Sequence, residues 1–260
     1  MSIKELRNNP LYTSALVLHG NNKLLDFDDD DNNISYRYAQ VNTIPVKCCP
    51  FATEGCKAVC YATKGNHQFP SVKESREKAY KETLRKDFTE ALCYTIKIEM
   101  NTKRYKGKVM IIRIHESGDF YSLQYLRKWL KVWENLENTD GVIFVFYTKS
   151  FPFFLMLTES EKATINRLMR NGKLSMNFSA DDTMSIEQKI NLLKCQKEFP
   201  LANIYYCTEN IDNVKHDNVC DCSDCAKCGT CNKASGKTTV VKIHSASKND
   251  MEKYRNNRTI

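Results

Sequence analysis

Nine of the twelve cysteines in this 260-residue chain lie in two short segments. Four occur between residues 48 and 60, and five occur between residues 220 and 231. The chain opens with MSIKELRNNPLY, which contains no apolar leader, so we expect a reducing cytoplasmic location. In that compartment, clustered cysteines are more typical of metal ligands or redox groups than of disulfides. The two segments therefore predict two cysteine-rich metal-binding loops.

The first loop offers three well-separated thiols, Cys49, Cys56 and Cys60, in the pattern C-x6-C-x3-C. Cys48 is an adjacent spare, because neighbouring residues rarely both reach one metal centre. Three thiolates suit a soft metal, whereas a structural zinc site usually takes four protein ligands. The loop therefore either recruits a fourth ligand, for which His67 is the nearest candidate, or holds a four-iron cluster. In that cluster one iron would stay open to a substrate or cofactor.

The second loop repeats a thiol at every third position over most of its length. Its cysteines are Cys220, Cys222, Cys225, Cys228 and Cys231. The C-x2-C steps resemble part of the ferredoxin run, whereas a zinc knuckle needs a longer spacer between its two pairs. An iron–sulfur cluster is therefore favoured, and zinc is the alternative. Either Cys220 or Cys222 would join the last three cysteines as a ligand.

Helical and strand patterns alternate along the chain after residue 70. Helices are predicted over 71–100 and 122–136, from Thr158, and from Ser185 to about residue 199, and strands over 108–120, 141–150, 173–182, 202–210 and 238–244. Capping boxes open three of the helices, pairing Ser71 with Glu74, Thr158 with Glu161 and Ser185 with Gln188. Two further strands are predicted over 15–20 and 35–42. This alternation is typical of βαβ units, so the fold class is α/β with a mostly parallel sheet.

The simplest division is one α/β domain over residues 1–260. Its parts are an irregular region 1–70 with the first cysteine loop, βα repeats over 71–210, a cysteine-rich insertion 211–237, and a last strand and tail over 238–260. The most apolar window, 141–157, contains Lys149 and Pro152 and is too short to span a bilayer comfortably. It predicts a buried strand that runs into an apolar loop, and we expect no membrane association.

Polar side chains follow the predicted strands, where parallel α/β folds keep their chemistry. They are His115, Glu116 and Asp119; Tyr147, Thr148 and Lys149; Asn177, Ser179, Asp181 and Asp182; Thr208, Glu209 and Asn210; and His244. Several such groups in succession predict a pocket at this edge of the sheet.

The net charge of +8 is compatible with an acidic partner such as nucleic acid. The lysines spread along helical segments such as 73–86, and KRYKGK, residues 103–108, is the best basic patch with an aromatic residue. A solvated helix face and a solvated loop explain the same pattern, so the charge alone does not assign a partner.

Six motifs occur together in this chain. They are Cys49-Pro50, Cys56-x3-Cys60-Tyr61-Ala62, IRIHESGDFYS at 112–122, FYTKS at 146–150, Cys225-x2-Cys228-Gly229-x-Cys231, and VVKIH at 240–244. In combination they resemble the phage and plasmid gene product 88 family, over about residues 40 to 245. The resemblance implies a phage or mobile-element protein that works in the cytoplasm of a bacterial host.

The chain is also distantly similar to radical S-adenosylmethionine proteins, which place a cluster loop after the first strand of a partial (β/α) barrel. This similarity implies that Cys49, Cys56 and Cys60 hold a 4Fe–4S cluster whose open iron binds S-adenosylmethionine. It implies catalytic roles for His115, Glu116 and Asp119, and cofactor binding by Glu116, Ser117, Gly118, Asp119 and Asn177. The usual radical spacing is C-x3-C-x2-C, from which the first loop departs.

Two functions follow from these observations. The first is a radical-type iron–sulfur enzyme with one open cluster and one auxiliary or structural cluster. The second is a non-catalytic iron–sulfur or zinc protein, an accessory or counter-defence factor that binds nucleic acid or a host protein such as a CRISPR effector. Brown protein after anaerobic purification favours the first function, and colourless protein with stoichiometric zinc favours the second.

Overall fold

One mostly parallel β-sheet organises the chain. The computed structural model describes residues 2–18, 26–209, 219–220, 229–243 and 246–258. The strands are β1 (Leu16–Val17), β2 (Phe27–Asp29), β3 (Ile34–Val41), β4 (Val109–Ile114), β5 (Val142–Thr148), β6 (Leu174–Asp181), β7 (Asn203–Thr208), β8 (Val219–Cys220) and β9 (Thr238–Lys242). Their order is β1-β3-β4-β5-β6-β7-β9-β8, and β2 pairs with β3. Among the described strands, only β1 and β2 run antiparallel to their partner, which is β3 in both cases.

The helices are α1 (Ile3–Arg7), α2 (Glu54–Ala58), α3 (Pro70–Leu84), α4 (Phe88–Glu99), α5 (Leu123–Leu136), α6 (Phe151–Leu155), α7 (Glu159–Arg170), α8 (Ile186–Glu198) and α9 (Lys248–Asn256). The capping boxes predicted at Thr158 and Ser185 are confirmed at the starts of α7 and α8. No helix within the described ranges is long and apolar enough to cross a membrane.

The main core lies between the sheet and the helices on one of its faces. Side chains alternate along each strand, so Ile112 and Ile114 of β4 enter this core while Ile111 joins a smaller cluster on the opposite face. Trp133 of α5 stacks on Phe146 of β5 with ring centroids 5.5 Å apart. Burial of such large aromatic side chains fixes how the helices cover the strands.

The predicted α/β class with mostly parallel strands is confirmed. In the described part of the chain the sheet is open, because the outermost strands of its order do not pair with each other. The single helix predicted over 71–100 is wrong, since the chain leaves the helical conformation at Arg85, where ψ is 143°. The Arg85 guanidinium binds both carboxylate oxygens of Asp87, and this local pairing stabilises the break between α3 and α4.

Two further local expectations are wrong. Helix α3 begins at Pro70 and has no side-chain cap, so Ser71 does not open it. Proline suits the first turn of a helix because its missing N–H would have no partner there. The apolar stretch after β5 forms α6 rather than a loop, with Pro152 in the first turn of that helix.

Candidate functional site

The first cysteine loop lies over the carboxyl ends of the parallel strands. It follows β3, and Thr53 caps α2 by accepting a hydrogen bond from the Cys56 amide at 3.0 Å. The Thr53 hydroxyl donates to the Asp181 carboxylate at 2.8 Å, at the last residue of β6. The Cys48 carbonyl accepts from the Asp119 amide at 3.0 Å. These bonds hold the loop against the segments that follow β4 and β6.

The three predicted thiol ligands of this loop are electrostatic neighbours. Burial raises the pKa of Cys49, and the charges of Asp119, Cys56 and Cys60 raise it further. Burial likewise raises the pKa of Cys56, opposed by Lys149 and supported by Asp181 and Cys60. None of the three forms a disulfide. The fold therefore places these thiols near enough to affect one another's pKa, although they are separated in sequence.

Cys48 occupies a different environment from Cys49. Burial raises the pKa of Cys48, while the Ile44 backbone, the Thr43 side chain and Lys47 lower it. None of the other loop thiols contributes to that shift. The charges of Cys56 and Cys60 thus contribute to the pKa of Cys49 and not to that of Cys48, and the choice of Cys49 as the ligand stays a prediction.

Among the residues that the structure describes, no three His, Cys, Asp or Glu side chains are close enough to hold one metal ion. The three loop thiols thus face one region without forming an assembled single-ion site. The metal-ligand assignment stays a prediction.

A buried ion pair stands beside these thiols. Lys149, which follows β5, places Nζ 3.2 Å from the Asp181 carboxylate, and both side chains are buried. Burial alone would lower the pKa of Lys149, but the negative charges of Cys56 and Asp181 outweigh it and raise that pKa. Burial would raise the pKa of Asp181, but Lys149 and the hydrogen bonds from Thr183 and Thr53 lower it. The site thus contains a fixed cation next to Cys56.

Residues 115–119, which follow β4, form a polar turn. Its first residue, His115, has a left-handed backbone conformation with φ +61°. Its Nε2 lies 3.1 Å from the Tyr125 hydroxyl, and its ring packs edge-on against Phe120 with centroids 4.7 Å apart. Burial lowers the pKa of His115 to about 3, and the Arg113 charge lowers it further, so the ring is neutral near pH 7. The structure therefore places this predicted catalytic residue within the aromatic core.

Glu116 is tied to the first loop. Its amide donates to the Asn42 side chain at 3.0 Å, and its carboxylate lies 3.5 Å from Arg76 of α3. The Tyr61 hydroxyl, one residue after Cys60, donates to the Glu116 carbonyl. The predicted neighbourhood of Glu116 and the cysteine loop is thus present in the fold.

Arg76 also engages the proposed fourth ligand, His67. Arg76 Nη2 lies 2.8 Å from His67 Nδ1, and Nη1 donates to the Ala62 carbonyl at 3.0 Å. Because arginine only donates, His67 accepts through Nδ1 and carries its proton on Nε2. Burial lowers the pKa of His67, Glu116 opposes this and Arg76 reinforces it. His67 is therefore bound to Arg76 rather than directed at the thiols.

Asp119 points toward the cysteine loop from the end of the polar turn. Its carboxylate accepts from the Thr148 hydroxyl at 2.7 Å and from the Lys149 amide at 2.9 Å. Burial raises the pKa of Asp119 to about 6, even though these hydrogen bonds favour the ionised form. The Asp119 charge also raises the pKa of Cys49. Asp119 is therefore the carboxylate of the polar turn that faces the thiols.

Ser117 and Gly118 lock the polar turn to the start of the first loop. The Ser117 hydroxyl donates to the Thr43 carbonyl at 2.9 Å, and the Thr43 amide donates back to Ser117 at 3.0 Å. Gly118 has φ +86°, and a Cβ there would overlap the Thr43 side chain and lie 3.2 Å from its backbone carbon. Only glycine allows this close approach.

Gly118→Ala is expected to lower the free energy of unfolding by more than about 3 kcal/mol, because backbone strain and overlap act together. Gly107→Ala is the matched control, since Gly107 has φ +73° with no atom within 4 Å of its added Cβ. That variant should lose only about 1–2 kcal/mol. Urea unfolding measures both. Equal losses would show that contact with Thr43 does not hold the turn.

Asn177 lies away from the polar turn, in the middle of β6. Its Nδ2 donates to the carbonyls of Phe146 and Cys231, each at 3.1 Å, and its Oδ1 accepts from Asn203. Ser175 donates to the same Cys231 carbonyl at 2.8 Å. Asn177 thus anchors the end of the second cysteine loop on the sheet face opposite the helices.

Most of the second cysteine loop is not among the described residues. Cys222, Cys225, Cys228 and His244 lie outside the described residues. Cys220 is described only as the backbone end of β8, and Cys231 lies in a short 3-10 turn, Thr230–Asn232. The ligand set predicted for this loop stays a prediction.

Sequence reasoning missed two arginines near the site, Arg76 and Arg113. Arg76 is one charge among many on a lysine-rich helix, and nothing in that pattern marks it as buried. Arg113 could have been found, because it is the one charged residue inside the apolar strand segment VMIIRI. A charge in such a strand must face a polar recess or a partner.

Comparison with known proteins identifies the family of this chain. The family model described as gene product 88 matches residues 15–234, so the chain belongs to that family. Searches of curated proteins and of solved structures found no match.

Proposed function

We propose that this gene product 88 protein is an iron–sulfur protein of a phage or mobile element that acts in the bacterial cytoplasm. Cys49, Cys56 and Cys60 would hold a 4Fe–4S cluster with one open iron, in the manner of radical S-adenosylmethionine proteins. The observation that carries the proposal is the position of the loop that bears these thiols, which is hydrogen-bonded to Asp181 and Asp119 at the carboxyl edge of a parallel sheet.

The donor set fits a cluster better than a single zinc. Tetrahedral zinc with Zn–S bonds of about 2.3 Å requires its sulfurs about 3.8 Å apart. Among the described residues, no three His, Cys, Asp or Glu side chains lie close enough together to bind one metal ion. Thiolates of a four-iron cluster bind different irons and are spread more widely. His67, the candidate fourth zinc ligand, is held by Arg76 instead.

The surrounding charges also fit an anionic centre. Three thiolates concentrate negative charge in a buried region, which is costly without a counter-charge. Lys149 supplies a buried cation whose pKa is raised by the charges of Cys56 and Asp181. Asp181 holds the Lys149 ammonium in place through the 3.2 Å ion pair. The neutral His115 adds no charge to the region.

The chain's own residues would also position a cofactor. When bound, an open iron of such a cluster offers a coordination position for the amine and carboxylate of S-adenosylmethionine. Glu116, held by Arg76, and Asp119, held by Thr148, would orient that amine. Ser117 and Gly118 fix the turn that carries both carboxylates. A partial barrel would bring these residues around one substrate space.

Cys225, Cys228 and Cys231, with Cys220 or Cys222, would bind a second, closed cluster. The Cys231 carbonyl is anchored on β6 by Ser175 and Asn177. This anchoring supports a structural or auxiliary role, since it ties one end of the loop to the sheet.

The alternative, binding of nucleic acid or a host protein without catalysis, has weaker support. Lys73, Lys78 and Lys81 of α3 are exposed, but Glu74 and Glu77 are exposed among them. Interleaved acids reduce the attraction to phosphates. Nucleic-acid binding would have to weaken steeply with salt, by roughly 0.9 log units per log salt for each phosphate contact on duplex DNA.

Anaerobic purification tests the proposed function. We expect brown protein with a broad absorbance band near ~400 nm and equal amounts of iron and acid-labile sulfide. S-adenosylmethionine added to the reduced protein should change the electron paramagnetic resonance signal of one cluster only. Colourless protein that contains stoichiometric zinc instead of iron would support the non-catalytic alternative.

A further inference from the structure

We propose that Arg113 is the anchor of a binding site for an oxyanion, a carboxylate or phosphate group of a small-molecule ligand. The site would lie on the sheet face opposite the helices, beside the first cysteine loop. Its assignment as a substrate site rests on the proposed function, whereas oxyanion binding itself does not require a cluster.

Strand geometry places Arg113 on this face. Residues 112 and 114 of β4 point into the helical core, so Arg113 between them points the other way. Its guanidinium carbon lies 3.8 Å from the ring centroid of Tyr147 on β5. The Tyr147 ring in turn meets Tyr205 of β7 edge-on, with centroids 4.8 Å apart. Arg113 thus packs against aromatic side chains on this face of the sheet.

The guanidinium lacks an anionic partner within the described chain. Arg113 Nε is buried and makes no hydrogen bond. Every other arginine that the structure describes as buried or half-buried forms an ion pair with a carboxylate; they are Arg37, Arg76, Arg85, Arg104, Arg127 and Arg258. A cation taken from water without a partner lowers stability. Arg113 is therefore the exception that calls for a ligand.

A second unsatisfied atom lies next to it. Gln40 of β3 is the register partner of Arg113, so the two side chains leave the same face of adjacent strands. Gln40 Oε1 is buried and has no hydrogen-bond partner. Gln40 Oε1 can only accept, so it would pair with a hydroxyl or amine donor of the ligand, while the guanidinium fork matches the oxygens of its carboxylate or phosphate group.

The surroundings of Arg113 adjoin the first cysteine loop. Burial lowers the pKa of Arg113, and Tyr147, Tyr61, Tyr205 and Glu116 outweigh this and raise it. Tyr61, which follows Cys60 directly, donates to the carbonyl of Glu116, three residues after Arg113, so the first loop lies close to this end of β4. Glu116 does not exclude an oxyanion there, because Arg76 lies 3.5 Å from its carboxylate and offsets the charge.

The test uses Arg113→Gln in the full chain, with phosphate, phenyl phosphate, acetate and benzoate as probes at constant ionic strength. We expect at least one probe to bind the wild-type protein with Kd of about 1 mM or tighter. Arg113→Gln should weaken that binding at least 10-fold. Arg127→Gln, which removes an ion pair on α5, is the control and should bind as the wild type does. Calorimetry measures the affinity for each probe. Tighter binding of phosphate and phenyl phosphate indicates a phosphate site, and tighter binding of acetate and benzoate indicates a carboxylate site.

Two readouts separate a ligand-binding role of Arg113 from a purely structural one. Without a probe, Arg113→Gln should match or exceed the thermal stability of the wild type, because it removes an unpaired buried cation; a large loss would show a structural role instead. Cys56→Ala should keep the wild-type affinity for the probe, which makes oxyanion binding independent of the cluster. The proposal is overturned if no probe binds the wild type, or if Arg113→Gln binds equally well.

Discussion

Replacing Lys149 by methionine is expected to lower the free energy of unfolding of the metal-free protein by about 3–5 kcal/mol. The substitution leaves the Asp181 carboxylate buried without the ammonium that lies 3.2 Å away. Removing one partner of a buried ion pair costs more than the pair contributes, because the remaining charge stays desolvated. Methionine has a similar length and adds no new polar group. Urea unfolding followed by circular dichroism measures the loss.

Two comparisons make this test specific. Lys57→Met removes a surface ion pair with Glu54, whose side chain is 67% exposed, so its effect should stay below about 1 kcal/mol. Adding Asp181→Leu to Lys149→Met should recover part of the loss, since neither charge then remains. If Lys149→Met costs no more than Lys57→Met, the buried pair does not stabilise the site.

The sequence predicted the layout of the sheet well. Apolar runs of strand length alternate with amphipathic helices, and burial of both patterns has few solutions other than a parallel sheet with helices packed on it. Helix starts with a reciprocal cap, such as Thr158 with Glu161, were also predictable because the interacting residues are three positions apart.

Features that depend on distant residues were not predictable. The helix break at Arg85 also involves distant residues, because Arg85 donates to the Pro10 carbonyl and Lys128 donates to the carbonyls of Thr83 and Arg85. His115 reads as a polar residue at a strand end, but its positive φ turns the ring toward Phe120 and Tyr125. The ion pair of Lys149 with Asp181 joins residues that follow or end neighbouring strands, and spacing alone does not show which side chains meet.

The candidate site likewise has features with a local sequence signal and features that only the fold determines. The residue types and spacing of the first loop predict a metal site, and adjacency marks Cys48 as a spare beside Cys49; both stay predictions. The partners that tune those thiols, Lys149 and Asp119, come from strand ends far away in sequence. Long-range placement of this kind is set by the fold and has no local sequence signal.

Cys56→Ala is expected to abolish the first cluster, and with it roughly half of the bound iron if the second loop carries a cluster of equal size. Loss of one of three thiolates leaves only two protein ligands, which do not suffice to hold the cluster. The fold should persist, because alanine favours the helical conformation of α2 and the Thr53 side chain caps the helix through a backbone amide. The iron-to-protein ratio measures the loss.

Three matched variants decide what that loss means. Cys48→Ala and Cys93→Ala remove thiols that lie outside the group formed by Cys49, Cys56 and Cys60, so both should retain all the iron. Replacing Cys225, Cys228 and Cys231 by alanine should remove the other half of the iron and destabilise the fold, since a structural metal site contributes folding free energy directly. The response to S-adenosylmethionine should survive in that triple variant and vanish in Cys56→Ala. If Cys48→Ala loses as much iron as Cys56→Ala, a fourth thiolate closes the first site. A closed first site leaves no iron open to a cofactor, and the protein would then act by binding rather than by catalysis.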